Sequence, residues 1–152
     1  MITYQRENAL TLWDEAMPLC KEHWAEIASF KDIPLAPNMT AYKTLEENGL
    51  LRCYTARDDG SLIGYSVFIV NGHIHYQDTL FAIQDVLFIR ESARRGRAGL
   101  SLIKYCDEQL AGEGVAVVQH HQKNEHPKLG FLLAHLGYSP SETLWTKRLD
   151  GR

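Results

Sequence analysis

The run Asp85 to Leu110, DVLFIRESARRGRAGLSLIKYCDEQL, constrains this chain more than any other stretch. It passes from a buried strand through a basic, glycine-containing turn straight into an amphipathic helix. Val86, Leu87, Phe88 and Ile89 are apolar in succession, which suits a strand covered on both faces. Leu102, Ile103, Cys106 and Leu110 then recur at helical spacing. Between them lie Arg94, Arg95, Gly96, Arg97, Ala98 and Gly99. A helix start carries unpaired N–H groups and the positive end of the macrodipole, so such a turn can hold an anion such as a diphosphate. Small residues would let the backbone come close and the arginines would add charge-assisted bonds. The same composition also suits a solvated basic turn.

The flanking chain predicts a mixed α+β fold. Ile2–Arg6 reads as an opening strand. Glu7–Ser29 reads as a long helix with Leu10, Trp13, Met17, Cys20, Trp24 and Ile27 on one side, kinked or divided at Pro18. Lys31–Asn38 is a loop, and Thr40 is placed to cap a second helix, Ala41–Glu47, that Asn48-Gly49 would stop. Leu50–Ala56 and Ser61–Val70 form a hairpin across Asp58-Asp59-Gly60. Asn71-Gly72 signals a further turn, then the polar and aromatic stretch His73–Asp78 leads to a strand at Ile83–Ile89. Val115–Gln119 follows the central helix as a parallel partner, which makes one βαβ crossover. Lys128–Leu136 is a last helix ending at Gly137, and Glu142–Leu149 a closing strand.

With 152 residues and 45% hydrophobic content, a single domain spanning residues 1–152 with its own core is expected. A net charge of −3 gives no general electrostatic case for nucleic acid, although the Arg90–Arg97 cluster stands out against it. Cys20, Cys53 and Cys106 are odd in number, far apart and in apolar surroundings, which predicts reduced buried thiols in an intracellular protein. No run is long and apolar enough to span a membrane, and no signal-peptide pattern opens the chain, so a soluble, cytoplasmic protein is expected. His73-x-His75 and His120-His121 lack the paired-cysteine, HExxH or carboxylate spacing of a zinc site, and no metal is expected. A nucleophile elbow of the G-x-S-x-G kind is absent as well.

The order of elements and the central turn together resemble the GNAT superfamily of acyl-CoA N-acetyltransferases. In that family a strand of the form L-x-V-x-P-x-x-R-G-x-G-x-G runs into the helix that holds the coenzyme A pyrophosphate. Leu87 and Ile89 match its strand positions, Arg94 its arginine and Gly99 its final glycine. Glu91 replaces the usual proline, Arg97 the middle glycine, and Gly96 lies one place earlier. Leu136-Gly137-Tyr138 matches the terminal L-G-F/Y. The R-x-G-R-x-G turn and an E-T-x-W/Y-x-K-x-L ending look most similar to phage-encoded members. The resemblance covers roughly Leu50–Leu149.

The resemblance implies a GNAT-like mixed sheet flanked by helices and direct transfer of acetyl from acetyl-CoA to an amine. Cofactor contacts would then fall to Leu87, Phe88 and Ile89 along the strand, to Arg94, Arg95, Gly96, Arg97, Ala98 and Gly99 in the turn, and to Asn124. A backbone N–H near Leu87–Ile89 could also polarise the thioester carbonyl. Asp85 is the first candidate for the base that frees the amine, with His120 and His121 next. Adjacent histidines on a strand point to opposite faces, so one of the two at most would face the thioester. The tyrosine that often protonates the departing thiolate would fall at Leu133 and is missing. A catalytically silent acyl-CoA-binding or partner-binding module is the alternative that this absence keeps open. Acceptors in view are a small-molecule amine or a protein amino group. Trp145 on the last strand is compatible with a homodimer and equally with ordinary packing.

Overall fold

The computed structural model describes residues 1–152 as five strands and four α-helices. Strands β1 (Ile2–Glu7), β2 (Leu51–Asp58), β3 (Ser61–His73), β4 (Tyr76–Ile89) and β5 (Val117–Gln119) lie side by side in that order. The first four are antiparallel neighbours, and β5 is parallel to β4. Helices α1 (Trp13–Ile27) and α2 (Met39–Glu47) cover one face. Helix α3 (Ala98–Gly112) covers the other and makes the βαβ crossover, and α4 (Lys128–His135) follows β5.

Alternation of side chains along the strands divides the core between the two faces. Toward α3, Tyr54, Phe68, Val70, Ala82 and Ile89 meet Leu102, Cys106 and Leu110. Toward α1, Leu51, Cys53, Tyr65, Val67 and Phe88 meet Leu12 and Leu19. Both faces of β4 near Ile89 are therefore buried, which explains its unbroken apolar run. The Asp59-Gly60 turn takes positive φ at both residues, 45° and 83°, as a two-residue hairpin between twisted strands requires.

Several local expectations change. Helix α1 begins at Trp13 because Asn8 builds a separate turn, its Oδ1 accepting from the Leu10 and Thr11 N–H groups at 2.9 and 3.2 Å. The helix then runs through Pro18 without a division. Asn38, not Thr40, caps α2, its side chain accepting from Ala41 N–H at 3.0 Å. The strand does not turn at Asn71-Gly72. It continues to His73, where the His73, Tyr76 and Phe81 rings pack across the two strands, and the chain reverses after it. The closing strand expected at Glu142–Leu149 does not form. No backbone-to-backbone hydrogen bond involves residues 139–152, and Leu144, Trp145 and Leu149 are 86%, 89% and 88% exposed.

Position 64 shows how tightly β4 is held. A Cβ added at Gly64 would collide with the Ile89 side chain and lie 2.6 Å from the Phe88 carbonyl oxygen. Gly64→Ala is expected to lower the unfolding free energy by about 1–3 kcal/mol through forced separation of β3 and β4. Urea denaturation checks this, and an unshifted midpoint would contradict the close approach.

Candidate active site

The parallel ladder between β4 and β5 is short. It pairs Phe81, Ala82 and Ile83 with Val117, Val118 and Gln119, and ends there. Immediately beyond, β4 shifts register against β3 between Val67 and Phe68, so Asp85 is an extra residue, a β-bulge. The two strands part at this bulge. Arg90 N–H donates to Ile63 C=O at 2.8 Å on the β3 side. By alternation, Phe88 also turns its main-chain groups to β3, whereas Leu87 and Ile89 turn theirs into the gap left by β5. Of the three strand residues expected to bond a cofactor arm, two therefore present backbone to the gap. Phe88 instead offers a buried ring, stacked on His23 at 4.8 Å.

Gln84, 7% exposed, governs the parting point. Its Oε1 accepts from His121 N–H at 3.1 Å, which identifies that atom as oxygen. His120 Nδ1 lies 3.0 Å from the same oxygen, so it carries the proton. His121 Nδ1 lies 3.1 Å from the Gln84 main-chain oxygen and is protonated for the same reason. In its neutral form each imidazole therefore carries its lone pair on Nε2, with different surroundings. His120 sits edge-on to Phe68 and Tyr138, its Nε2 is buried without a partner, and burial pushes its pKa down to about 4. His121 is exposed and its Nε2 is open. Both histidines border the cavity described below, beyond the end of β5 rather than on the strand as expected, and they differ in that only the His120 Nε2 is sealed from solvent.

Asp85 accepts a short hydrogen bond from the Tyr42 hydroxyl, and Trp13 packs edge-on against that phenol at 5.6 Å. Burial, then the bond to Asp85, raises the pKa of Tyr42 and keeps it a donor. From sequence, Trp13, His23, Trp24 and Tyr42 are candidates to line a substrate site under a wall formed by the two N-terminal helices, and all four border the cavity described below, whereas the bond from Tyr42 to Asp85 and the part played by Gln84 carry no sequence signal. His23, whose alternative reading from sequence is a surface histidine, is buried instead. It is 9% exposed, its Nδ1 lies 3.1 Å from the Tyr65 hydroxyl, and burial lowers its pKa to about 4.

At the turn, Gly96 adopts φ of 102°, a left-handed conformation that glycine alone takes without strain, and a Cβ there would meet nothing within 4 Å. Ala98, Gly99 and Leu100 open α3 with N–H groups that no protein acceptor bonds, and Arg95 and Arg97 are exposed without ion pairs. These residues fit a diphosphate. Ala98 contributes main chain only, because its side chain is 3% exposed within the core. Arg94 is not free. Its guanidinium grips Glu26 of α1 at 2.8 and 2.6 Å, donates to Ile89 C=O at 2.8 Å and lies over the Phe88 ring. That contact holds the Glu26 carboxyl below the usual carboxylate range. Arg90 grips Glu22 one helical turn away at 3.1 and 2.9 Å.

A cavity of about 910 Å³ opens on the α1 and α2 side of the gap. It is lined by α1, the following loop, Val86, the segment His120–Glu125 and the tail near Glu142–Thr146, so Asn124 faces it. Arg148 ties the tail to that loop through Asp32 at 3.1 Å and the Phe30 ring at 5.1 Å. Leu133, at the position where the resemblance would place a phenolic acid, is 8% exposed and hydrophobic, and Tyr138 donates to Asp107 away from the cavity. No group of three or more His, Cys, Asp or Glu is placed to hold a metal ion.

The model of the acetyltransferase (GNAT) family matches residues 10–138. No curated protein sequence matches the chain. Among solved structures, an aminoglycoside acetyltransferase from an uncultured soil metagenomic sample has a TM-score of 0.78 at 14% identity over 99% of each chain. A ribosomal-protein-alanine N-acetyltransferase from Brucella melitensis biovar Abortus 2308 gives 0.75 at 13%, covering 98% of this chain and 99% of that one. The acetyltransferase AAC(6')-Iy, in complex with a bisubstrate analog of coenzyme A and acetylneamine, gives 0.73 at 15% over 97% of each.

His23 and His120 make stability depend on pH. Folded, both stay neutral down to about pH 4, whereas in the unfolded chain they take up protons near ~6.5. Between those values the unfolded state binds more protons, so stability is full above about pH 6.5 and falls as pH drops toward 4. Urea unfolding is expected to lose about 1–2 kcal/mol per histidine between roughly pH 7.5 and 5. His120→Phe should remove part of that loss, and a pH-independent midpoint would contradict the burial of both rings.

Proposed function

The chain belongs to the GNAT acetyltransferase family, and from that premise we propose that it transfers an acetyl group from acetyl-CoA to a primary amine by direct attack on the thioester. The observation that carries this reading is the gap between β4 and β5. It leaves the main chain of Leu87 and the N–H of Ile89, whose C=O Arg94 already occupies, at one end and leads to the glycine-bearing start of α3 at the other. A pantetheine arm fits between such strands, and a diphosphate fits the unpaired N–H groups of Ala98, Gly99 and Leu100 beside Arg95 and Arg97. Acetyl-CoA would supply the activated acyl group.

The rest falls to the chain's own residues. An N–H at Leu87 or Ile89 aimed into the gap can stabilise an oxygen that gains negative charge. An amine arrives from the cavity as an ammonium and must lose a proton before its nitrogen lone pair can attack. We assign that proton to His121 Nε2, whose tautomer is fixed by Gln84 and whose lone pair is open; as the new C–N bond forms and the C–S bond breaks, coenzyme A would leave as a thiolate that takes its proton from solvent. Asp85, steadied by Tyr42, stands beside the path with a negative charge that favours the incoming cation. His120, buried and hard to protonate, serves to pack β5 against Phe68 and Tyr138.

The acceptor belongs to the same proposal and is a small amine or a protein amino group. No helix is long and apolar enough to cross a membrane. Burial raises the pKa of all three free cysteines, Cys53 to about 12, which suits inert thiols and a cytoplasmic setting.

Calorimetry with acetyl-CoA and a thiol-release assay over an amine panel test this. Arg97→Glu is expected to weaken acetyl-CoA binding about tenfold or more, consistent with loss of one charge-assisted contact. His121→Ala should lower kcat by about 10²-fold with acetyl-CoA affinity little changed. Tight binding without turnover of any amine would favour a silent acyl-CoA-binding module, and absence of binding would end the reading.

A further inference from the structure

The cavity narrows the acceptor beyond "an amine", an inference that rests on the acetyltransferase reading for its chemistry but not for its binding step. One side is built from Trp13, Met17, Trp24, Ile27, Phe30 and Tyr42. Lys123 is the one lysine or arginine on the lining. Its Nζ is turned into the wall, donating to Ile27 C=O at 2.7 Å and Ser29 Oγ at 3.1 Å. The lining also holds two carboxylates, Glu125 in the segment after β5 and Glu142 in the tail, neither of them on the helices that carry the apolar side and neither in an ion pair. His23, nine-tenths buried, adds one polar point to the apolar side, its Nε2 without a hydrogen bond.

We infer that the acceptor is a monoamine with an apolar body, of the aryl-alkyl or long-alkyl kind. The charge layout requires this. One ammonium can sit against Glu125 or Glu142, and the body then replaces water along the tryptophan side. Further ammonium groups spread along the body would lie against indole, thioether and aliphatic surface, where they lose hydration and where Asp85 already accepts from the Tyr42 hydroxyl. A polycation such as a polyamine or an aminoglycoside therefore fits this cavity poorly, although three of the structures similar in fold are named as aminoglycoside acetyltransferases. His23 Nε2 can accept or donate one hydrogen bond, which accommodates one polar group on the body, such as an indole N–H.

Trp13 and Trp24 report occupancy directly. In a Trp145→Phe background, which removes the exposed indole on the tail, tryptophan fluorescence is titrated with 2-phenylethylamine, spermidine and kanamycin. The aryl-alkyl amine is expected to saturate with a Kd at least tenfold below those of both polycations. The Glu125→Gln, Glu142→Gln double variant should raise that Kd about tenfold while leaving acetyl-CoA affinity unchanged by calorimetry. Equal or tighter binding of spermidine or kanamycin overturns the inference, and so does the absence of any saturable change with the aryl-alkyl amine. Thiol release is read in parallel. Binding without release removes the transferase reading and leaves the specificity standing, whereas preferential release with a polycation removes the specificity and leaves the transferase.

Discussion

A single buried amide sits where two parallel strands stop sharing hydrogen bonds. Gln84 Oε1 takes the bonds that the next rung of the ladder would have made, from His121 N–H and His120 Nδ1–H. An unpaired buried N–H or imidazole there would cost about 1–3 kcal/mol, so the amide stabilises an ending that backbone alone could not satisfy. It also separates two adjacent histidines chemically. Both are fixed in the same tautomer, yet one lone pair is sealed between Phe68 and Tyr138 and the other is open to the cavity. The Asp85 bulge bends β4 away at the same level, and the gap follows from the two features together.

The wall above the gap depends on a second device. Glu22 and Glu26 on α1 stand one turn apart, as do Arg90 and Arg94 beyond β4, and the four close as two bidentate pairs. Half-exposed pairs of this kind contribute roughly 1 kcal/mol or less each, so their main effect is orientation. They set α1 across Phe88, where His23 stacks, and they divide the basic cluster by role. Arg90 and Arg94 hold the helix, which leaves the positive charge at the turn to Arg95 and Arg97.

That division marks the limit of what the sequence disclosed. The strand, turn and helix around Arg94–Gly99 were legible because period, glycine and helix-start chemistry all act locally. Five strands, the crossover and the cap at Gly137 followed from the same local signals. Arg94's partner was not legible, since Glu26 lies 68 residues away and nothing in its own surroundings marks it. Gln84 was hidden for a related reason. A glutamine in an apolar run reads as a flaw in the strand until the ending of a neighbouring strand gives it work. Gly96, offset by one place from the family pattern, is explained by a φ that only the fold reveals.

The tail illustrates the opposite failure, a pattern that promised more than it specified. Glu142–Leu149 alternates, but Leu144 falls on one face of the alternation while Trp145 and Leu149 fall on the other. A strand with apolar residues on both faces has no register that buries one set without exposing the other, unless both of its faces are covered. Strand β5, three residues long, offers little edge to enforce a choice. The chain is held instead by Arg148, whose guanidinium meets Asp32, Asp150 and the Phe30 ring. One charged side chain thus does what a ladder of backbone bonds would otherwise do, and the position of Glu142 on the cavity wall depends on it.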